Sequence, residues 1–244
     1  MDGFATQGTG SSADGSGAQA AAVLGNAPAA PAWRHLVVEG PIGVGKTSLA
    51  TRLAAHFGAE PLFEQPQDNP FLERFYADRP GYALQAQLFF LVQRVRQLAV
   101  LAQPGIFGRP IVGDYLFDKD AIFARLNLDD EDWRLYAQIH AHLAPRVPPP
   151  DVVIWLRAEP ATLLARIAQR GRPMERAIDA DYLGRVSAAY AGHFAAHRPA
   201  GVLAVDTERF DPLGSDADFG HLLARLAALG HKRAPAGDAV PGPV

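Results

Sequence analysis

Nine residues, Gly40-Pro41-Ile42-Gly43-Val44-Gly45-Lys46-Thr47-Ser48, constrain this chain more than any others. They follow a short apolar run, Leu36-Val37-Val38, and lead into a helix-like stretch from Ser48 to Phe57. That order of strand, glycine-rich loop and helix is what a phosphate-binding P-loop requires. Glycines let successive backbone N–H groups turn inward around phosphate oxygens, and the helix N-terminus adds a favourable dipole. Lys46 supplies a point charge for the β- and γ-phosphates of ATP, and Thr47 offers a hydroxyl to Mg²⁺. The chain has three lysines, Lys46, Lys119 and Lys232, and one of them stands where the pattern demands it.

The 244 residues suffice for one α/β domain with a full core. The net charge of −3, with basic residues spread along the chain, argues against a nucleic-acid groove. Cysteine is absent, which excludes disulfides and thiolate metal sites. No apolar run approaches the roughly 20 residues of a membrane span. The first basic residue is Arg34, so the charged start of a signal peptide is missing and a cytoplasmic location is expected. Residues 1–32 are mostly Gly, Ser, Ala, Thr and Pro and are expected to form a disordered tail, as are residues 232–244. The folded domain is expected over 33–231.

Within it, apolar runs alternate with helical stretches. Strands are predicted at Leu36–Glu39, Pro61–Glu64, Ile111–Gly113, Val152–Leu156 and Val202–Val205. Helices are predicted at Gly81–Gln103, Asp130–Leu143, Pro160–Gln169 and Asp179–Ala196. Short continuous apolar strands separated by helices predict a five-stranded parallel sheet with helices on both faces. Ligands of such sheets bind beyond the carboxyl ends of the strands, which is where chemistry should be sought.

Glu64 ends the second predicted strand; Asp114 follows the third, with Asp120 six residues on. A carboxylate near the γ-phosphate can take a proton from an attacking hydroxyl. After the fourth strand and a helix come Arg166, Arg170, Arg172 and Arg176, with Glu175 among them. Arginines on a closing segment can neutralise charge on a transferred phosphoryl group. Other patterns carry less. His193 and His197 share a helix face, but Phe194 stands where a zinc protease has its glutamate, and no third ligand is evident. Asp78–Gly81 and Asp181–Gly184 fit a GTPase switch pattern, yet neither ends a strand.

Several segments resemble the deoxynucleoside kinase family, in particular its bacterial deoxyadenosine/deoxyguanosine kinase-like branch. They are Val38 to Ser48, Asn69-Pro70-Phe71-Leu72-Glu73-Arg74-Phe75-Tyr76, and Gln85-Ala86-Gln87-Leu88-Phe89-Phe90-Leu91 with Arg94. Asp114-Tyr115-Leu116-Phe117-Asp118-Lys119-Asp120, Pro149 to Ile154 and Arg166 to Arg172 complete the set, in order, from about Arg34 to Asp211. The resemblance implies a P-loop kinase fold with an arginine-rich lid. It also implies a homodimer and transfer of a phosphoryl group from ATP to a nucleoside 5′-hydroxyl. By it, Glu64 is the general base, Tyr76 and Glu175 hold the sugar 3′-hydroxyl, and Gln87 reads the base edge. An amide is both donor and acceptor, which complements adenine's N6/N7 edge. Arg94 and Asp120 stand near the acceptor, and Asp114 near Mg²⁺. Arg166, Arg170 and Arg172 form the lid, and the loop from Asp206 to Asp211 cradles the donor base.

The chain departs from the family at one place. Where an arginine and a serine commonly follow the acidic residue at Asp114, this chain has Tyr115 and Leu116. Either that arginine is dispensed with, or Lys119 or a lid arginine replaces its charge. Two rivals remain: a thymidylate-type nucleoside monophosphate kinase, and a nucleotide-binding subunit without catalysis. The Tyr76, Gln87 and Glu175 set suits an uncharged nucleoside and argues against the first; the retention of Lys46, Thr47, Glu64 and Arg172 argues against the second.

Overall fold

A computed structural model of the chain describes residues 31–102, 108–144, 149–196 and 201–230. The expected tails lie outside them, apart from Pro31 and Ala32, as does His197. Five strands form one parallel sheet: β1 (His35–Glu39), β2 (Glu60–Leu62), β3 (Ile111–Gly113), β4 (Val152–Arg157) and β5 (Val202–Asp206). Their order is β2-β3-β1-β4-β5. Leu36 pairs with Val112 on one side and Val152 on the other, so β1 is central. All five of its residues are buried. Successive strand residues point to opposite faces, so both faces of the sheet are covered, as the unbroken apolar runs predicted.

The helices are α1 (Lys46–Phe57), α2 (Leu72–Ala77), α3 (Arg79–Leu98), α4 (Lys119–Asn127), α5 (Asp130–Leu143), α6 (Pro160–Arg170), α7 (Ala180–Ala196) and α8 (Asp216–Gly230). Helix α1 starts two residues earlier than predicted, because Gly45 in the left-handed region lets the chain turn straight into Lys46. Helix α3 also starts early. Pro80 falls in its first turn, where the missing N–H costs nothing, and Asp78 caps it by accepting from Gly81 N. The helix gives way to a 3₁₀ turn at Ala99–Ala102. The sequence did not single out α2, α4 or α8.

Strand β2 ends at Leu62 instead of Glu64. Asp114 N donates to Leu62 O at 3.3 Å, and the Asp114 carboxylate then takes the Glu64 N–H at 2.7 Å. Glu64 therefore leaves the ladder and its side chain is presented beyond the sheet.

The buried residues fall into two cores. One surrounds the sheet and includes Leu49 and Leu53 of α1, Leu163 and Ile167 of α6, Tyr190 and Phe194 of α7, and Phe219 and Leu222 of α8. The other is helical, built from Phe75 of α2, Phe90 and Leu91 of α3, Ala124 of α4 and Tyr136 of α5. Helix α4 belongs to both, through Ile122 and Ala124. A site at the carboxyl ends of β1 and β3 therefore borders both cores.

Candidate active site

In the loop after β1, Gly43 has φ 85° and Gly45 φ 102°, values that L side chains rarely adopt. A Cβ at Gly43 would also lie 2.8 Å from Leu163 O and from Ile167 Cγ1. The loop thus packs directly on α6, and only glycine fits. Lys46 Nζ donates to the carbonyls of Gly40 at 2.8 Å and Pro41 at 3.0 Å, which folds its ammonium over the loop. Burial and the nearby charge of Lys119 lower Lys46 to about 8, against the pull of Glu39, Glu64 and Asp114.

Glu39, the last residue of β1, fixes this loop to the next strand end. It is fully buried, and its carboxylate accepts from Gly40 N at 2.8 Å, Tyr190 Oη at 2.9 Å and Leu116 N at 2.6 Å. Sequence reasoning gave it no role. Its one signal was a carboxylate inside an otherwise apolar strand, immediately before the first glycine.

Beside the loop, Thr47 Oγ1 donates to Asp114 Oδ2 at 2.5 Å. A cavity opens here, lined by Lys46, Thr47, Glu64, Tyr76, Gln87, Arg94, Asp114, Lys119, Arg170, Arg172 and Glu175 over an apolar wall that includes Phe75, Phe90 and Phe123. The structure thus brings Glu64, Tyr76, Gln87 and Arg94 together with Glu175, which lies far from them in sequence. Gln87 and Arg94 are seven residues apart on α3 and both are buried against the cavity.

Glu64 is clamped between two cations. Lys119 Nζ lies 2.6 Å from its Oε2, and an Arg94 guanidinium N–H donates to its Oε1. Burial alone would raise its pKa, but the charges of Lys119 and Arg94 outweigh burial and hold the carboxyl far below the usual range. Arg94 also pairs with Asp120, which is wholly buried and does not line the cavity. The expected contact of Asp120 with a base is therefore replaced by a contact with Arg94, the residue that does face the cavity. Burial raises Asp120 to about 6 against the opposing charge of Arg94.

Arg170 and Arg172 converge on Glu175. Arg170 donates from Nε at 3.1 Å and from Nη2 at 2.7 Å to Oε2, and Arg172 Nη1 stands 3.6 Å from Oε1. Tyr76 shares the cavity, and burial raises its phenol well above the ordinary value. Arg166 points elsewhere, donating to Thr207 Oγ1 at 2.8 Å and Thr207 O at 3.1 Å. It lines a second recess with Val44, Gly45, Asp211 and Leu213, against the loop after β5. The three arginines of the expected lid are thus shared between two recesses that meet at the P-loop.

Tyr115 lies in the helical core and does not reach the cavity; its hydroxyl donates to Gln97 Oε1 at 2.8 Å. The cation beside Glu64 at this strand end is Lys119. His193 stands 3.4 Å from Asp118, and among the described residues no three His, Asp or Glu side chains are grouped to hold a metal ion by themselves.

A deoxynucleoside kinase family model matches residues 36–229. Deoxyguanosine kinase of Bacillus subtilis (strain 168) is 34% identical over 199 residues, covering 80% of this chain and 96% of that protein. Deoxyadenosine/deoxycytidine kinase of the same organism is 27% identical over 203 residues, covering 80% and 93%. Among solved structures, deoxyadenosine kinase from M. mycoides with bound dCTP superposes with a TM-score of 0.68 at 23% identity. That match covers 80% of this chain and 99% of that one, and it shows the shared fold. The family model spans all of the sheet but its first residue, both recesses and every residue of the cavity: the chain belongs to the deoxynucleoside kinase family.

Proposed function

We propose that the chain transfers the γ-phosphoryl group of ATP to the 5′-hydroxyl of a purine deoxynucleoside, with Glu64 as the general base. The observation that carries this reading is that Glu64 lines one cavity together with Lys46 of the P-loop and the buried, amide-bearing Gln87. A nucleoside with its base at Gln87 and its 3′-hydroxyl at Tyr76 and Glu175 brings its 5′-hydroxyl to Glu64. Two polar groups converging on one hydroxyl penalise analogues that lack it. The names of the relatives, deoxyguanosine and deoxyadenosine kinases among them, support a purine acceptor.

Thr47 and Asp114 place two hard oxygen donors in contact beside the phosphate loop, a set that fits Mg²⁺ completed by water and phosphate oxygens. When bound there, Mg²⁺ supplies neutralisation of the β- and γ-phosphate charge. Lys46 and the loop N–H groups hold the donor phosphates, and Asp114 orients Glu64 through its backbone N–H. Arg170 and Arg172 exchange Glu175 for phosphate oxygens as the segment after α6 closes, which excludes water from the transfer. The recess at Arg166 and the loop after β5 takes the donor base. In this reading the enzyme is a cytoplasmic homodimer; among the described residues, no helix is long and apolar enough to cross a membrane.

The test is a panel of deoxynucleosides and deoxynucleoside monophosphates with ATP and Mg²⁺, scored by phosphorylated product. Deoxyguanosine or deoxyadenosine is expected to turn over and monophosphates are not. Glu64→Gln is expected to lower turnover by roughly 10²–10⁴ with ATP binding little changed. Near wild-type turnover in that variant would remove Glu64 as the base.

A further inference from the structure

The loop after β5, which borders the second recess, is held by two arginines. Arg166 of α6 holds it at Thr207. Arg52, in the middle of α1, holds it further on: its Nη1 donates to Pro212 O at 3.0 Å and to Leu213 O at 2.8 Å. Its Nη2 pairs with Asp216 at the start of α8, and its guanidinium carbon stands 4.1 Å from the centre of the Phe219 ring. Arg52 lines neither the recess nor the active-site cavity, so the function read above gives it no task.

A residue that merely joined α1 to α8 would need only the contacts with Asp216 and Phe219. The pair with Asp216 is exposed, the carboxylate side chain by 99%, and such pairs contribute little. The bonds to the two carbonyls are charge-assisted and stronger. The turn that carries those carbonyls is closed on its N–H side by Asp211, whose Oδ1 accepts from Leu213 N at 3.1 Å and Gly214 N at 2.9 Å. Among the described residues, the carbonyls of Pro212 and Leu213 have Arg52 as their partner. Both residues line the recess. Leu213 also reaches back to the phosphate loop, its Cδ1 lying 3.2 Å from where a Cβ at Gly45 would stand.

We propose that Arg52 is a positioning residue for the phosphoryl donor: by tying Pro212 and Leu213 to α1, it fixes the recess for the donor base at a set distance from the phosphate loop. The proposal rests on the reading above that this recess takes the donor base. Helix α1 begins with Lys46 and Thr47, and Arg52 stands six residues beyond Lys46, about 9 Å along the axis. One rigid helix therefore carries the phosphate-binding lysine at its start and the tie to the base recess in its middle. A donor reaches both ends of the site at once only while that tie holds the loop. Without it the loop samples other positions, and the affinity for a whole nucleotide falls by the fraction of time the recess is formed. A ligand made of phosphates alone does not use the recess and loses nothing. Lysine in place of Arg52 could reach a carbonyl, but it lacks the planar fork that bonds Pro212 O and Leu213 O while lying against Phe219.

The experiment measures, by calorimetry with Mg²⁺ and no acceptor, the Kd of ATP and of inorganic tripolyphosphate for the full chain and for Arg52→Met, Arg52→Lys and Leu213→Trp. It adds kcat, the ATP KM and the deoxyguanosine KM, with Tm as the control for folding. Arg52→Met is expected to weaken ATP at least about fivefold and to leave tripolyphosphate within about twofold. Its ATP KM is expected to rise in step, with kcat at saturating ATP and the deoxyguanosine KM within about threefold, the pattern of lost binding without lost chemistry. Arg52→Lys is expected to recover part of the ATP affinity. Arg52→Gln replaces the methionine variant if that one does not fold. A smaller loss of ATP affinity overturns the proposal. So does an equal loss of ATP and tripolyphosphate, since Arg52 would then act on the phosphate loop or on the fold at large. Leu213→Trp fills the recess and separates the two readings. If it weakens ATP and Arg52→Met does not, the recess takes the donor base and the role of Arg52 alone falls. If neither variant weakens ATP, the assignment of the recess falls with it.

Discussion

His35 opens β1 with a nearly buried imidazole, 9% exposed, and neither ring nitrogen has a hydrogen-bond partner among the described residues. Burial outweighs the favourable charge of Asp151 and lowers its pKa from 6.5 to about 4. Between these values the unfolded chain takes up a proton that the native state refuses. Stability from this residue is therefore complete above pH 6.5 and is lost as pH falls toward 4. At pH 4.5 the loss amounts to about 2.5 kcal/mol. Other groups titrate in the same window. Glu64 loses stabilisation below its ordinary 4.5, and His140, also lowered by burial, acts in the same direction as His35. Asp120, raised to about 6, acts in the opposite direction. The difference between wild type and His35→Leu removes all three. Leucine fills a similar volume and leaves no unpaired ring nitrogen, so near pH 7 the variant should equal or exceed the wild type in stability. At pH 4.5 its advantage should grow by about 2.5 kcal/mol, roughly 5–10 °C in Tm for a domain of this size. Thermal or urea denaturation of both proteins at the two pH values measures this. An advantage of equal size at pH 7 and pH 4.5 would refute the reasoning, since burial would then impose no penalty on the charged ring.

Two further outcomes follow from the loop and its anchor. Gly43→Ala introduces a Cβ 2.8 Å from Leu163 O at φ 85°. The strain of about 1–2 kcal/mol falls on the phosphate loop, so KM for ATP should rise tenfold or more while the nucleoside KM changes less; an unchanged ATP titration would contradict the placement of the loop against α6. Glu39→Gln faces three donors with one acceptor oxygen, so at least one of Gly40 N, Leu116 N and Tyr190 Oη loses its acceptor. The cost of about 1–3 kcal/mol should lower Tm by roughly 3–10 °C, read by calorimetry, and an unchanged Tm would mean the three bonds do not hold the strand ends together.

The elements that the sequence foretold are those whose signal is local. The Val37-Val38 run and the glycines at 43 and 45 each act within a few residues, and β1 and the P-loop stand where they predict. Helices α2 and α4 escaped because their stretches mix aromatic, charged and apolar residues with little period, and they are helical through packing on α3 and α7. The inner end of the site was less legible for a related reason. Glu64 and Gln87 could be singled out as residues, but the chain Asp120–Arg94–Glu64–Lys119 is a set of contacts between a strand end, α3 and α4. No spacing in the sequence encodes it.

That chain also decides how Tyr115 and Lys119 should be read. At the end of β3 the backbone turns under the hold of Glu39 on Leu116 N, which sends Tyr115 into the helical core and brings the first turn of α4 over the cavity. A cation at position 115 would be carried away from Glu64 by this turn; a cation at position 119 is carried to it. The cation that pairs with Glu64 therefore resides on the helix instead of the strand end. Moving it back should fail: in Tyr115→Arg combined with Lys119→Met, the new guanidinium enters the apolar surroundings of Gln97 and the helical core. The double variant is expected to stay as impaired in kcat as Lys119→Met alone and to melt lower. Recovery of turnover in the double variant would show that the cavity accepts a cation from either position, and that the turn at Leu116 does not select between them.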